Sequence, residues 1–111
     1  MHNIVIAKDI FNKLSSMVEP GQEIKKVSVK IGEMIIVGHD ASDVKEVFLG
    51  LVKGTVFEGI KLDIEIVKMK TACENCNKEY EFSEQVFECS NCGSSEFKLI
   101  AGEELVIDKI E

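Results

Sequence analysis

Four cysteines fall as Cys73-x-x-Cys76 and Cys89-x-x-Cys92, with twelve residues between the pairs. Each pair can present two sulfurs from one tight turn, and two such turns facing each other complete a tetrahedron around Zn2+ at about 2.3 Å per sulfur. Four thiolates fill the coordination sphere and leave no position for water or substrate, so the pattern predicts a structural site rather than a catalytic one. A thioredoxin-like use of either pair would need a βαβ setting with a helix beginning at the first cysteine, and the polar, turn-rich surroundings offer none. Iron also suits four sulfurs; zinc is the expectation. Gly93 follows the second knuckle, where a small residue lets the chain turn past the metal, and EYEF and QVFE are expected to pair as a short hairpin. Together these features outline a zinc ribbon.

A second chemistry is available at Met1-His2-Asn3, which offers an α-amine, backbone amide nitrogens and an imidazole within one or two chelate rings. Ni(II) and Cu(II) accept such nitrogen sets, whereas oxygen-seeking ions gain less from them. Deprotonated amides would also offset the positive end of the helix dipole that follows. Taken alone, these residues have plainer readings, since chain ends are usually solvated and Asn3 stands where a helix N-cap would stand. His39, in VGHDAS, lies between a turn glycine and a capping aspartate and is expected to be an exposed loop residue rather than a second ligand. No Ser/His/Asp or Cys/His constellation converges, so an enzyme is not expected.

The elements that must position these groups follow from hydrophobic period. Between Ile4 and Glu19, the residues Ala7, Ile10, Phe11, Leu14, Met17 and Val18 form one helix face, ended by Pro20 and Gly21. Val27, Val29 and Ile31 alternate with Lys26, Ser28 and Lys30 as a half-buried strand, and Met34 to Val37 continue as a turn and packed loop. Asp40 and Ser42 are capping candidates for a second helix through Val44, Val47, Phe48, Leu51 and Val52, with Gly54 as terminator. Ile60, Leu62, Ile64 and Ile66 mark a second strand, and ELVIDKIE a third. The expected fold is α+β, two helices covering a three-stranded sheet from residues 1–70 plus 101–111, with a zinc-ribbon-like module inserted at 71–100.

Composition narrows the function classes. The 111 residues carry a net charge of −7 and a pI near 4.9, which opposes non-specific attraction to nucleic acid or anionic lipid. The segment from Thr71 to Ile100 holds only Lys78 and Lys98 against several glutamates, so a nucleic-acid-binding zinc ribbon, the alternative reading, lacks its electrostatic footprint. No run of about 18 apolar residues exists to span a bilayer, and Lys8 and Asp9 interrupt the apolar start of the chain, so a cytoplasmic protein is expected. A reducing cytoplasm favours metal-bound thiolates over disulfides. Either a monomer or a dimer is compatible with an exposed third-strand edge.

The order and spacing of several segments carry a resemblance along the whole chain: MH at the start, IGEM, FLGLVKGTVFEGIKLDIEIV, CxxC, CxxCGS and GEELVIDKIE. Together they resemble the HypA/HybF hydrogenase nickel-incorporation family. The resemblance implies a nickel metallochaperone in which His2, the Met1 amine and the backbone nitrogen of Asn3 bind transferred Ni2+, while Cys73, Cys76, Cys89 and Cys92 hold structural Zn2+. It further implies delivery to a hydrogenase large-subunit precursor or a partner GTPase, with urease as a second recipient. Position three departs from the pattern, since the family typically begins Met-His-Glu; a backbone nitrogen survives that change and a carboxylate does not. Glu103 and Glu104 also resemble a family feature, and a solvated strand end accounts for them equally well.

Overall fold

The computed structural model describes residues 2–81 and 88–111. Helix α1, Asn3–Met17, buries Ile6, Ala7, Ile10 and Leu14 along one stripe, the period expected of an amphipathic helix. Strand β1, Lys26–Gly32, buries Val27, Val29 and Ile31 on alternate positions. A short helix α2, Glu33–Ile36, and a turn then lead into α3, Ala41–Leu51, whose first turn is capped by the Asp40 carboxylate accepting from Ser42 N at 3.2 Å. Strand β2, Lys61–Val67, returns parallel to β1 with Val27 opposite Leu62, and the final strand β6, Leu105–Ile110, runs antiparallel on the other side of β1. The resulting order β2-β1-β6 places the most buried strand in the centre.

One hydrophobic core unites this layer. Ile6, Ile10 and Leu14 of α1 and Val44 and Phe48 of α3 meet Val27, Val29 and Ile31 of β1, with Phe57 and Ile60 closing one end. The opposite sheet face carries the charged alternates, where Lys26 pairs with Asp63 at 2.9 Å. Between β2 and β6 the chain forms a second three-stranded sheet of β3 (Lys70–Cys73), β4 (Glu79–Glu81) and β5 (Phe97–Ala101), with β3 central and antiparallel to both neighbours.

Two expectations are corrected here. Asn3 is not the N-cap: the Ile6 amide donates to the His2 carbonyl at 3.1 Å, so His2 takes the cap position, without a side-chain cap bond, and Asn3 is the first helical residue. Met34 to Val37 is not wholly loop. The Met34 amide is tied to Gly102 O at 2.9 Å, and Glu33–Ile36 coil into α2 with Ile36 buried. In the expected EYEF and QVFE hairpin, Glu79–Glu81 pair with β3, and residues 82–87 lie outside the described residues.

Candidate metal centres

The thiol cluster is built from two turns of the same design. In the first, Asn77 N donates to Cys73 O at 2.8 Å and Cys73 N to Lys78 O at 2.9 Å; in the second, Gly93 N donates to Cys89 O at 2.8 Å and Cys89 N to Ser94 O at 2.7 Å. Each turn needs a left-handed residue directly after its second cysteine, supplied by Asn77 at φ 65° and Gly93 at φ 77°. Asn77 was legible as the counterpart of Gly93 by position alone, CxxCN against CxxCG, and the motif reading missed it. Asparagine tolerates this region and β-branched residues do not. Asn77→Gly is therefore expected to leave thermal stability within about 0.5 kcal/mol of the parent, and Asn77→Val to lower it by about 1–2 kcal/mol, as read by denaturant titration.

The two turns bring all four sulfurs within 4.8 Å of one another. Cys73 and Cys92 Sγ lie 3.5 Å apart, as do Cys76 and Cys89 Sγ. Bonds of about 2.3 Å to a central zinc give tetrahedral edges of roughly 3.8 Å, so the cluster fits that ion with little movement. Cys73 and Cys89 are buried while Cys92, at one corner of the cluster, is exposed.

Sequence reading also missed Tyr80. Its hydroxyl lies 3.4 Å from Cys89 Sγ, accepts from Ser90 N at 3.1 Å, and its ring packs edge-on against Phe97 at 5.8 Å. Donation from Tyr80, with the Cys92 and Asn91 amides adding to it, holds the Cys89 thiol down to about 6, against the cost of burial. The Cys73 thiol is lowered too, chiefly by the Cys76 amide. Nothing in a CxxC pattern marks a tyrosine four residues after a knuckle as a thiolate donor.

The nitrogen-bearing end of the chain is a separate place. His2 is exposed at the start of α1, and the loop before α3 carries His39 back against it, ring centroids 5.9 Å apart and planes at 65°. His39 is half-buried rather than a free loop residue. The two histidines therefore share one setting. Next to them the Asn3 Oδ1 is buried without a hydrogen-bond partner among the described residues. Met1 lies outside the described residues. Glu104, read from sequence as either a family feature or a solvated strand end, accepts from Gly102 N at 2.6 Å and has its carboxyl held below the usual range by backbone amides.

A family model described as hydrogenase/urease nickel incorporation, metallochaperone, hypA matches residues 1–111. The chain belongs to this family. Among similar proteins, the hydrogenase maturation factor HypA of Methanocaldococcus jannaschii is 33% identical over 88% of this chain and 82% of its own. That of Chlorobium limicola is 30% identical over 99% and 95%. The solution structure of the Ni metallochaperone HypA from Helicobacter pylori superposes with a TM-score of 0.67 at 21% identity, covering 100% of this chain and 97% of that one, so the fold is shared. HypA proteins are metallochaperones of hydrogenase maturation, accessory factors and not catalysts, and the closed thiol cluster is in keeping with a structural zinc site. Among the described residues no helix is long and apolar enough to cross a membrane.

Proposed function

We propose that the chain binds Ni(II) as cargo through the Met1 amine, His2 and backbone nitrogen at its N-terminus, and passes it in the cytoplasm to a hydrogenase large-subunit precursor, directly or through a maturation GTPase, with urease as a second recipient. The observation that carries this reading is the His2 side chain, exposed at the start of α1 and, unlike the His2 carbonyl, taking no part in capping the helix or in the core. A cargo ion must enter and leave, and a chain end offers imidazole and amine donors without the closed cage that holds the zinc. Residues 1–70 plus 101–111 act as the nickel-binding unit and 71–100 as the zinc unit.

Calorimetric titration of untagged protein with Ni(II) tests this. His2→Ala, and a variant with residues added before Met1, are each expected to weaken nickel affinity by about 100-fold while zinc content stays at the parent value. Parent-like nickel binding in both variants refutes the terminal site.

A further inference from the structure

We propose that the imidazole of His39 is a nickel ligand in this chain, occupying the place that the backbone nitrogen of Asn3 would otherwise take. The inference rests on the terminal reading above and exchanges one donor in it. It starts from the backbone at His2, where φ is −74° and ψ is 153°. For two successive backbone nitrogens to close a five-membered ring on one ion, they must be eclipsed about the Cα–C bond. At the observed ψ the His2 and Asn3 nitrogens lie on opposite sides of that bond instead. Turning it would swing the His2 carbonyl away from the Ile6 amide, the 3.1 Å bond that starts α1. While the helix keeps its first turn, Asn3 N is not available to an ion held by His2, and the coordination set lacks a member.

His39 is placed to supply it. With ion–nitrogen bonds near 2 Å, two imidazoles on one ion have centroids roughly 4.5 Å apart when adjacent and roughly 6 Å apart when opposite. The observed 5.9 Å falls inside that interval. The second imidazole comes from a turn, Gly38-His39-Asp40, whose entry glycine is left-handed at φ 82° and whose exit is pinned by the Asp40 cap on α3. His39 also lines an open cleft of about 670 Å³ together with Glu33, Asp40 and Asp43, so a cation can reach it from solvent. An uncharged nitrogen donor suits Ni(II) better than the carboxylate oxygens beside it.

The same distance also suits edge-to-face packing of two rings, and the test separates the two. Four untagged proteins are titrated with Ni(II), and the imidazoles around the metal are counted by X-ray absorption: parent, His39→Phe, Asn3→Pro and His2→Ala. Phenylalanine keeps the ring contact and removes the donor. Proline is tolerated at the first helical position, fits the extended His2 that precedes it, and removes the Asn3 N–H. The expected result is two imidazoles per nickel in the parent and in Asn3→Pro, with parent-like affinity in both. His39→Phe is expected to show one imidazole and an affinity at least about tenfold lower, since even outer-shell partners of metal sites cost 10–100-fold. Parent-like binding by His39→Phe, or one imidazole in the parent, overturns the inference while loss in His2→Ala keeps the terminal site. Parent-like binding by His2→Ala overturns both.

Discussion

Removing zinc, by chelation or by Cys76→Ser, is expected to unfold β3, β4 and β5 while the layer of α1, α3, β1, β2 and β6 stays folded. Among the described residues, every member of the hydrophobic core lies in that layer or its connections, between Ile6 and Leu62. Among the described residues, this second sheet and the turns beside it bury, of their hydrophobic residues, only Ala72, Cys73 and Cys89, two of which belong to the thiol cluster. A sheet with so little apolar burial cannot offset the entropy of ordering its chain, and the metal must do so. Structural zinc contributes an apparent 10–16 kcal/mol in small metal-folded modules, more than enough to decide the outcome. Amide NMR spectra checks this residue by residue: resonances of 70–81 and 88–101 should collapse to unfolded positions in the zinc-free protein, with those of α1 and α3 unmoved. A zinc-free spectrum that keeps β3–β5 dispersed would sink the prediction.

The same site has a pH dependence with a definite sign. The Cys89 thiol is drawn down from its ordinary 9 to about 6, principally by the Tyr80 hydroxyl, so the interaction favours the folded thiolate. A depressed acid favours the thiolate that zinc requires: that form is fully present above the ordinary value of 9 and is lost as pH falls through about 6. Tyr80→Phe removes the leading donor, returns Cys89 toward its ordinary range and should speed chelator-driven zinc release at neutral pH. Release is followed with a colorimetric zinc indicator, and rates equal to the parent's would show that the hydroxyl does not hold the thiolate.

How much of this was legible in the chain depends on the range of the interaction. The stripe on α1, the alternation in β1 and the Asp40 cap on α3 are local, set by periods of a few residues, and read directly from sequence. The thiol cluster was equally open because spacing within each knuckle fixes the geometry. What escaped was non-local. His39 looked like a loop residue because its neighbours are turn and cap residues; that α2 and the following turn return it to His2 depends on how β1 ends against Gly102, 70 positions along the chain from Gly32. Tyr80 reaches Cys89 only once β4 has paired with β3. Asn3 was assigned as a cap because its residue type favours that place, and the helix began one residue earlier than the preference implied.

Replacing Gly32 with alanine is expected to be among the most damaging single-methyl changes in the chain, and Gly50→Ala to have the opposite sign. A Cβ on Gly32 would fall inside the carbonyl group of Gly102 and 2.5 Å from Glu103 N, and all of these are backbone atoms with no flexible end to swing aside. The contact is dense because two connections cross there. Gly32 N donates to Glu104 O at 2.6 Å, Met34 N to Gly102 O at 2.9 Å, and Met69 N to the Glu33 carboxylate at 3.2 Å. Gly102 itself is left-handed at φ 106°, with Met69 Cα 2.7 Å from where its own Cβ would stand. Both chain crossings between the two sheets, at Met69 and at Gly102, thus rest against the end of β1. Forcing them apart costs about 3 kcal/mol or more by the scale of overpacked interiors, a fall in Tm on the order of 10–20 °C for a protein of this size. Gly50, exposed in α3 with nothing within 4 Å of its added Cβ, has only backbone entropy to give up, so alanine should stabilise by about 0.5–1 kcal/mol. Thermal unfolding of the zinc-loaded variants reads both. Equal Tm values for Gly32→Ala and the parent would mean that the crossings are not pressed together at β1, and that the two sheets are joined by the chain alone.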